Sequence, residues 1–269
     1  MILQRLATAI REQNWFTVLI ETLIVVLGVF LGLQLGNWNQ YSNDRQAETS
    51  YLLQLRGDLK NIGAEIDAQI AFEQFQATLA NDVFELIQTD ASPDRGRKIN
   101  TGLSQLTERR TLRTESPTFL DLQGAGRLEI ISDTELRAAI ISYFYGSSRL
   151  EAALDKNNAF YVDQNYVKFV SNAGIPARDW DDALMQVQLP YSAASTSDFT
   201  ETALNTPLFA ASSTHLGAPP DAEIWDETIV QLNWRGYVSI ANESHAQRMR
   251  AATADLEQKL AARLDGETP

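Results

Sequence analysis

The chain has 269 residues and no cysteine; 44% of its residues are hydrophobic, 21% are charged, and the formal net charge is -13. This length allows one sizeable domain, or two small ones, beside a membrane segment, and the composition is that of a globular rather than a disordered protein. Without cysteine there is no disulfide, thiolate metal site or cysteine nucleophile, and an acidic chain lacks the basic face that nucleic acid requires.

A continuous apolar run lies close to the start of the chain. From Phe16 to Leu35 its only ionisable side chain is Glu21, and Trp15 and Trp38 bracket it. About 20 residues at 1.5 Å each match a hydrocarbon core of about 30 Å, and tryptophan favours the interface between membrane and water. We therefore predict a transmembrane helix over 16–36.

Two other interpretations fit such a run. A cleaved signal peptide has a shorter apolar region, of about 7 to 15 residues, and small residues at its cleavage site. Gly36, Asn37 and Trp38 do not resemble such a site. A buried helix of a soluble protein is the other alternative, which the length of the run disfavours.

The flanking charges predict the orientation of the span. Arg5 and Arg11 precede it, whereas the flank from Asp44 to Glu48 is mixed. Because basic residues are retained on the cytoplasmic side, we expect 1–15 to be a short cytoplasmic segment and 37–269 to be an extracytoplasmic domain. That domain carries the whole net charge, so anionic lipid head groups should repel it.

A stripe of small residues runs along the predicted span. Gly28, Gly32 and Gly36 recur every four residues, and Glu21 lies seven residues before Gly28 on the same stripe. Small residues let a second helix backbone approach closely, so the stripe predicts a homodimer within the lipid bilayer. The alternative is that glycine is simply common in membrane helices and that Glu21 reaches the interface by itself.

Two stretches of the chain carry recognisable motifs. Asn37-Trp38-Asn39 end the run that Glu21 leads, and a Y-L-x-x-L-x-x-D-L pattern follows from Tyr51 to Leu59. The second stretch comprises Ser116-Pro117-Thr118-Phe119, Gly126–Ile131 and Asp133–Tyr143. In these motifs the chain resembles an uncharacterised family of bacterial single-span membrane proteins, although the family's glycine before the membrane glutamate is Ile20 here. The resemblance implies a polar break after N-W-N and location in the bacterial inner (cytoplasmic) membrane, with a periplasmic domain, but no activity.

The pattern beyond the span is helical. Between 43 and 89 apolar residues recur at alternating steps of three and four, which predicts a long helix with a coiled-coil-like seam over two heptads. The seam residues are Leu52, Leu55, Leu59, Ile62 and Ile66, and a broader apolar pattern continues through Ile70, Phe75, Leu79, Val83 and Leu86.

Shorter helices should follow this long one. An amphipathic stretch runs from Ile99 to Leu106. Ser116 and Pro117 are of the types that begin a helix, and Gly124 with Gly126 can end it.

Another long helix is expected after a capping-box pattern. Ser132-Asp133-Thr134-Glu135 makes Ser132 the expected N-cap and lets Glu135 return a bond to the cap's N–H. The apolar face of the helix extends to Phe169, with a possible bend at Gly146.

The last third of the chain is harder to interpret. An irregular segment is expected near 171–220, with short helical stretches at 179–187 and 199–204. A final long helix should open after Pro219-Pro220-Asp221, with Gly236 as a point of interruption. With no sustained strand alternation, we predict a mainly α protein: one N-terminal transmembrane helix followed by an extracytoplasmic α-helical bundle.

No residue pattern predicts a catalytic centre, a cofactor or a metal site. The two histidines, His215 and His245, lack a second ligand at helical spacing. Gly124-Ala125-Gly126 is better explained as a helix end than as a phosphate-binding turn. Carboxylates are numerous, but nothing identifies a tuned acid and base. We therefore expect that the chain is not an enzyme and binds no cofactor.

One group of basic side chains departs from the acidic background: Arg95, Arg97, Lys98, Arg109, Arg110 and Arg113. Such a group is a candidate contact for anionic lipid, polysaccharide or an acidic partner. Pairing with acidic helix faces of the same chain is the favoured explanation, because charge runs have low specificity.

Three functions remain open at this point. A membrane-anchored interaction or scaffold protein with an unknown protein partner is favoured, because only about fifteen residues would lie inside the cell to carry a signal. The alternatives are a ligand-sensing domain that acts through a partner and a hydrolase-type enzyme. A pocket within one aromatic group would favour sensing, although core packing is the simpler explanation: Tyr143, Phe144, Tyr145, Phe160, Tyr161, Tyr166 and Phe169.

Overall fold

The structure is a computed structural model that describes residues 15–89, 91–93, 95–173 and 214–266. These residues are mainly helical and form no strand, which confirms the mainly α class. The chain divides into two compact units, Met1–Tyr51 and Leu52–Pro269. Most of the predicted irregular segment, with the expected helical stretches at 179–187 and 199–204, lies outside the described residues.

The longest helix, α1, spans Trp15–Thr89. The other elements of the described residues are, in chain order, α2 Arg95–Gln105, α3 Pro117–Gly124, a 3-10 turn Leu128–Ile130, α4 Thr134–Asn157, a π-helix Asn158–Tyr166, α5 Val167–Asn172, a 3-10 turn Thr214–Gly217 and α6 Ile224–Asp265.

The polar stretch expected after Asn37-Trp38-Asn39 does not interrupt α1, which continues through it as helix. The first proline of the chain is Pro93, so every residue of α1 keeps its backbone N–H. Polar residues such as those of 40–50 are compatible with a helix, since polarity changes what the helix faces rather than its backbone.

The apolar residues predicted to form the seam of α1 are buried within the second unit. Leu52, Leu55, Leu59 and Ile66 are fully buried, and Ile62 is nearly so. Burial of each such side chain contributes about 1.5–3 kcal/mol. Further along, Val83 is fully buried as predicted, whereas Ile70, Phe75 and Leu79 are only partly buried. Between Ile66 and Val83 the polar residues Gln69, Glu73 and Gln76 are almost completely buried.

The start of α3 is the one expected from its sequence. Ser116 is the N-cap, and its hydroxyl accepts from the N–H of Phe119 at 3.0 Å. Asp58 on α1 supports this cap, because its carboxylate accepts from Ser116 Oγ at 2.6 Å and from the N–H of Thr118 at 3.1 Å. Asp58 therefore ties α1 to α3.

The expected capping box at the start of α4 is displaced by one residue. Asp133, rather than Ser132, is the N-cap, and its carboxylate accepts from the N–H groups of Glu135 and Leu136. Both residue types cap helices well, and a carboxylate there also favours the positive end of the helix dipole.

The expected interruption at Gly236 is wrong, since α6 continues through it, and Gly146 lies inside α4. The irregularity falls instead at the π-helix Asn158–Tyr166. Asn158, Val162 and Tyr166 face the core at steps of four. In an α-helix, residues four positions apart point in directions that differ by about 40° around the helix axis. A π-helix has more residues per turn, which counteracts this rotation.

An apolar core joins the C-terminal part of α1 to α2, α5 and α6: Ala80, Val83, Ile87, Ile99, Leu103, Leu106, Tyr166, Phe169, Val170, Leu216, Trp225 and Leu232. The polar atoms of two aromatic side chains in this core form hydrogen bonds. The Tyr166 hydroxyl donates to the carbonyl of Leu103 at 3.0 Å, and the Trp225 indole N–H donates to that of Pro219 at 2.9 Å. Their burial therefore leaves no unmet donor.

We predict that Gly102→Ala destabilises the protein and that Gly57→Ala does not. A Cβ at Gly102 would overlap the Val83 side chain, whereas one at Gly57 meets nothing within 4 Å. Unfolding of the full chain in detergent by denaturant should show a loss of about 1–3 kcal/mol for Gly102→Ala. Gly57→Ala should gain about 0.5–1 kcal/mol as the better helix former. Equal stability of the two variants would contradict the close packing of α2 on α1.

Candidate functional site

The glycine stripe of the predicted span lies on the first unit. A Cβ built at Gly28, Gly32 or Gly36 would meet nothing within 4 Å. The stripe is thus open along the single chain, which is the condition for a second helix to approach it. The side chain of Glu21 lies outside the described residues.

Arg95, one of the six predicted contact residues, is buried at the end of α1. Its guanidinium donates to the carbonyls of Leu86 at 2.9 Å and Ile87 at 2.6 Å, and to that of Ala218 at 2.5 Å. It also lies 5.6 Å from the centre of the Trp225 ring. Arg95 therefore satisfies carbonyls that the last turn of α1 leaves without helical partners.

Three other arginines of the group form intramolecular ion pairs. Arg109 pairs with Asp163 at 2.8 Å, Arg110 with Glu65 at 2.6 Å and Arg113 with Asp155 at 3.0 Å. Arg97 and Lys98 are exposed, and Lys98 donates to Ser92 Oγ at 3.2 Å.

The group is not one compact patch. Arg95 binds α1 near Leu86 and Arg110 binds it at Glu65, positions about 30 Å apart along the helix axis. Contact of these residues with an anion or a partner stays a prediction.

The histidines do not form a metal site within the described part of the chain, where no group of three or more His, Cys, Asp or Glu side chains comes together. His245 is partly exposed, and burial together with nearby Arg248 lowers the pKa of its imidazole. The side chain of His215 lies outside the described residues.

A set of buried polar residues lies where α1, α6 and the π-helix meet, and we call it the polar layer. Each member is at most 2% exposed: Gln69, Glu73 and Gln76 on α1, Asn158 on the π-helix, and Arg235, Ser239 and Asn242 on α6. The sequence pattern does not reveal the polar layer, because the buried face of a helix is recognised by the spacing of its apolar residues.

Glu73 is the acidic centre of the polar layer. Its Oε1 accepts from Gln69 Nε2 at 2.8 Å and from Asn242 Nδ2 at 3.1 Å. Asn242 also donates to Asn158 Oδ1 at 3.2 Å and accepts from Asn157 Nδ2 at 2.9 Å. Glu73 is thereby connected to α6 and, through Asn242, to the π-helix.

Arg235 supplies the opposite charge. Its guanidinium donates to the carbonyls of Leu106 at 2.8 Å and Glu108 at 2.9 Å and to Ser239 Oγ. Burial raises the pKa of Glu73, and the positive charge of Arg235 opposes that rise to a smaller extent. Glu73 Oε2 and both polar atoms of Gln76 have no hydrogen-bond partner among the described residues.

The predicted aromatic group is divided between core and surface. Tyr143, Phe144, Tyr166 and Phe169 are buried, whereas Tyr145 and Phe160 are exposed. Phe119 stacks on Phe144 with ring centres 4.3 Å apart, as expected for core packing.

An exposed row of aromatic rings links the π-helix to α6, and we call it the aromatic surface: Phe160, Tyr161, Trp234 and Tyr237. Tyr161 stacks on Trp234 with ring centres 5.5 Å apart, and Trp234 meets Tyr237 edge to face at 5.7 Å. Trp234 is 49% exposed and Tyr237 60%. Large aromatic residues are enriched at protein interfaces, so their exposure here marks a candidate interaction site.

Tyr237 also lines an apolar groove of about 450 Å³ between α1 and α6. We call it the α1–α6 groove, and its lining is uncharged: Ala77, Ala80, Asn81, Phe84, Ile229, Leu232, Asn233, Gly236, Tyr237 and Ile240. The two helices are antiparallel, because Asp67 pairs with Arg250 and Gln74 with Glu243. Gly236 lies beside Ala80, since a Cβ there would be in van der Waals contact with that of Ala80 at 3.6 Å.

Comparison of the chain with known protein families, curated proteins and solved structures gives no match. The resemblance to the single-span family stays a prediction from the motifs.

We predict that Glu73 makes stability depend on pH and that Glu73→Gln removes this dependence. Since the pKa of Glu73 is raised in the folded state, the folded chain binds more protons than the unfolded chain between the ordinary and the raised pKa. The contribution of Glu73 to the free energy of unfolding is complete below the ordinary pKa of glutamate, and it is lost as pH rises through the raised pKa of the folded state. Urea unfolding of the full chain at a series of pH values should therefore show wild type losing stability relative to Glu73→Gln as pH rises; a constant difference would contradict the prediction.

Proposed function

We propose that this chain is a membrane-anchored helical interaction protein. Helix 16–36 spans the inner (cytoplasmic) membrane of a bacterium, 1–15 lie in the cytoplasm, and 37–269 form a periplasmic helical bundle that binds a partner protein. The supporting observation is that α1 contains an apolar stretch long enough to cross a membrane, none of which is buried. Exposure of so many branched and aromatic side chains to water is unfavourable, and lipid removes that cost.

The absence of cysteine from the sequence makes the topology directly testable. We expect full-length chain to stay with membranes after a high-salt wash. A Gln258→Cys variant should react with a membrane-impermeant maleimide in intact cells, and a Thr8→Cys variant should react only after the inner membrane is permeabilised. Release by salt, or labelling of Thr8→Cys in intact cells, would overturn the proposed anchoring or its orientation.

Self-association through the span is part of the proposal. The open stripe of Gly28, Gly32 and Gly36, together with Glu21 on the same side of the helix, supports close approach of a second copy. Close packing of backbones supplies the dispersion contacts that lipid does not replace.

Gly32→Ile is expected to weaken this self-association, because the branched side chain holds the two backbones apart. The matched control is Leu23→Ile, which conserves volume and lies on the opposite side of the helix. A two-hybrid reporter in membranes should lose signal with Gly32→Ile alone. An unchanged signal, or an equal loss with Leu23→Ile, would count against dimerisation through the stripe.

An interaction role has more support than its alternatives. The aromatic surface is exposed and the α1–α6 groove is open to solvent, as binding to another protein requires. For an enzyme, the buried acid Glu73 would need a second acid or base, and its hydrogen-bond partners are the amides of Gln69 and Asn242. For a ligand sensor, the predicted aromatic group would need to line a common pocket, and its members are divided between core and surface.

A further inference from the structure

We propose that the α1–α6 groove, with the adjoining aromatic surface, binds an amphipathic α-helix of a partner protein whose apolar face is flanked by lysine or arginine. This inference rests on the proposed interaction function and specifies the chemistry of the partner.

The shape of the groove fits a helix. It runs along α6 from Ile229 to Ile240, about 16 Å or three helical turns, and α1 forms the other wall from Ala77 to Phe84. A third helix lying between two antiparallel helices buries residues at i, i+3, i+4 and i+7. Pairing with an extended strand is disfavoured, because backbone groups inside α1 and α6 already hydrogen-bond within their own helices.

The anchors for such a helix are the exposed apolar side chains along the groove. Phe84 is 41% exposed, Tyr237 60% and Ile240 59%, and Trp234 lies next to Tyr237 in the aromatic surface. Tryptophan and tyrosine contribute most to binding where they are enclosed by a partner. The π-helix extends this region through Tyr161, which stacks on Trp234.

Charge around the groove selects the flanks of the partner. Glu85 is exposed and directly follows Phe84 on the α1 wall. Glu243 lies on α6 just beyond Ile240, at one end of the groove, and its carboxylate accepts a hydrogen bond from Gln74 Nε2 at 2.8 Å. Neither wall offers an exposed cation. From Asn61 to Thr89 α1 contains no lysine or arginine, and from Ile224 to Gln247 α6 contains only Arg235, which is buried.

These acidic edges distinguish the possible occupants. A second copy of this groove would bring glutamates against glutamates, and anionic lipid head groups would be repelled in the same way. A helix with lysine or arginine beside its apolar face would instead place positive charge against Glu85 and Glu243. Charge complementarity therefore favours a basic amphipathic helix on another protein.

The test places a photo-crosslinking amino acid at Tyr237 of the full chain in native membranes, with Gln258, exposed on the same helix, as the control position. The cross-linked partner peptide is identified by mass spectrometry. The expected result is a segment with apolar residues at helical spacing and a lysine or arginine within one turn of them, captured at Tyr237 and not at Gln258. A charge-reversed Glu85→Lys/Glu243→Lys chain should reduce the yield about tenfold, equivalent to about 1.4 kcal/mol, whereas Glu115→Lys, at an exposed position on the loop before α3, should leave it unchanged.

Other outcomes separate the two levels of the proposal. Capture at Tyr237 of an acidic or extended partner segment, of lipid or of this chain itself would overturn the inference, as would a yield insensitive to charge reversal. Capture of a protein at Gln258 alone would also overturn it while leaving an interaction role in place. No protein captured at either position would count against the proposed function as well.

Discussion

Glu73 and Arg235 are both withdrawn from water, and a buried charge requires compensation from other parts of the chain. Glu73 obtains donors from Gln69 on its own helix and from Asn242 on α6. Arg235 donates to the carbonyl of Leu106, just after α2. These requirements are met together in one relative position of α1, α6 and the segment after α2, so the polar layer sets the register on which the second unit depends.

The apolar seam of α1 alone would not set that register. Leucine and isoleucine at heptad spacing present nearly the same surface at each step, so sliding by a heptad exchanges one apolar contact for another. The polar layer removes this degeneracy, because a shift would separate Glu73 from Asn242. The polar layer also lowers stability, because the buried side-chain amide of Gln76 has no hydrogen-bond partner among the described residues. Specificity, rather than maximal stability, is the physical reason we infer for keeping such a layer.

Local patterns were sufficient to predict much of the fold. The seam from Leu52 to Ile66, the start of α3 at Ser116 and the mainly α class all follow from residue type and spacing, which act within a few turns. The N-cap of α4 is Asp133 rather than Ser132. The two residues are adjacent and both types are good N-caps, so residue type alone does not predict which of them caps the helix.

The candidate site was mostly hidden from such reasoning. Arg95 was expected to contact an anion or to pair with an acidic helix face, because a basic residue type says nothing about the carbonyls that a helix end leaves unpaired. Trp234 and Tyr237 were missed because an aromatic residue at helical spacing is expected to point inward, whereas these two are about half exposed. Whether such a side chain lies in the core or on the surface depends on contacts between distant parts of the chain.

The distribution of charge connects these observations to the proposed interaction. Arg109, Arg110 and Arg113 each pair with an acidic side chain of the same chain, so their charge is balanced locally. A chain with a net charge of -13 then presents an acidic surface around the exposed rings. Exposed apolar groups ordinarily promote indiscriminate association, and like-charge repulsion opposes it between copies of an acidic protein. A partner that combines an apolar helix face with positive charge overcomes this barrier, so the same acidity that limits self-association at the groove selects what can bind there.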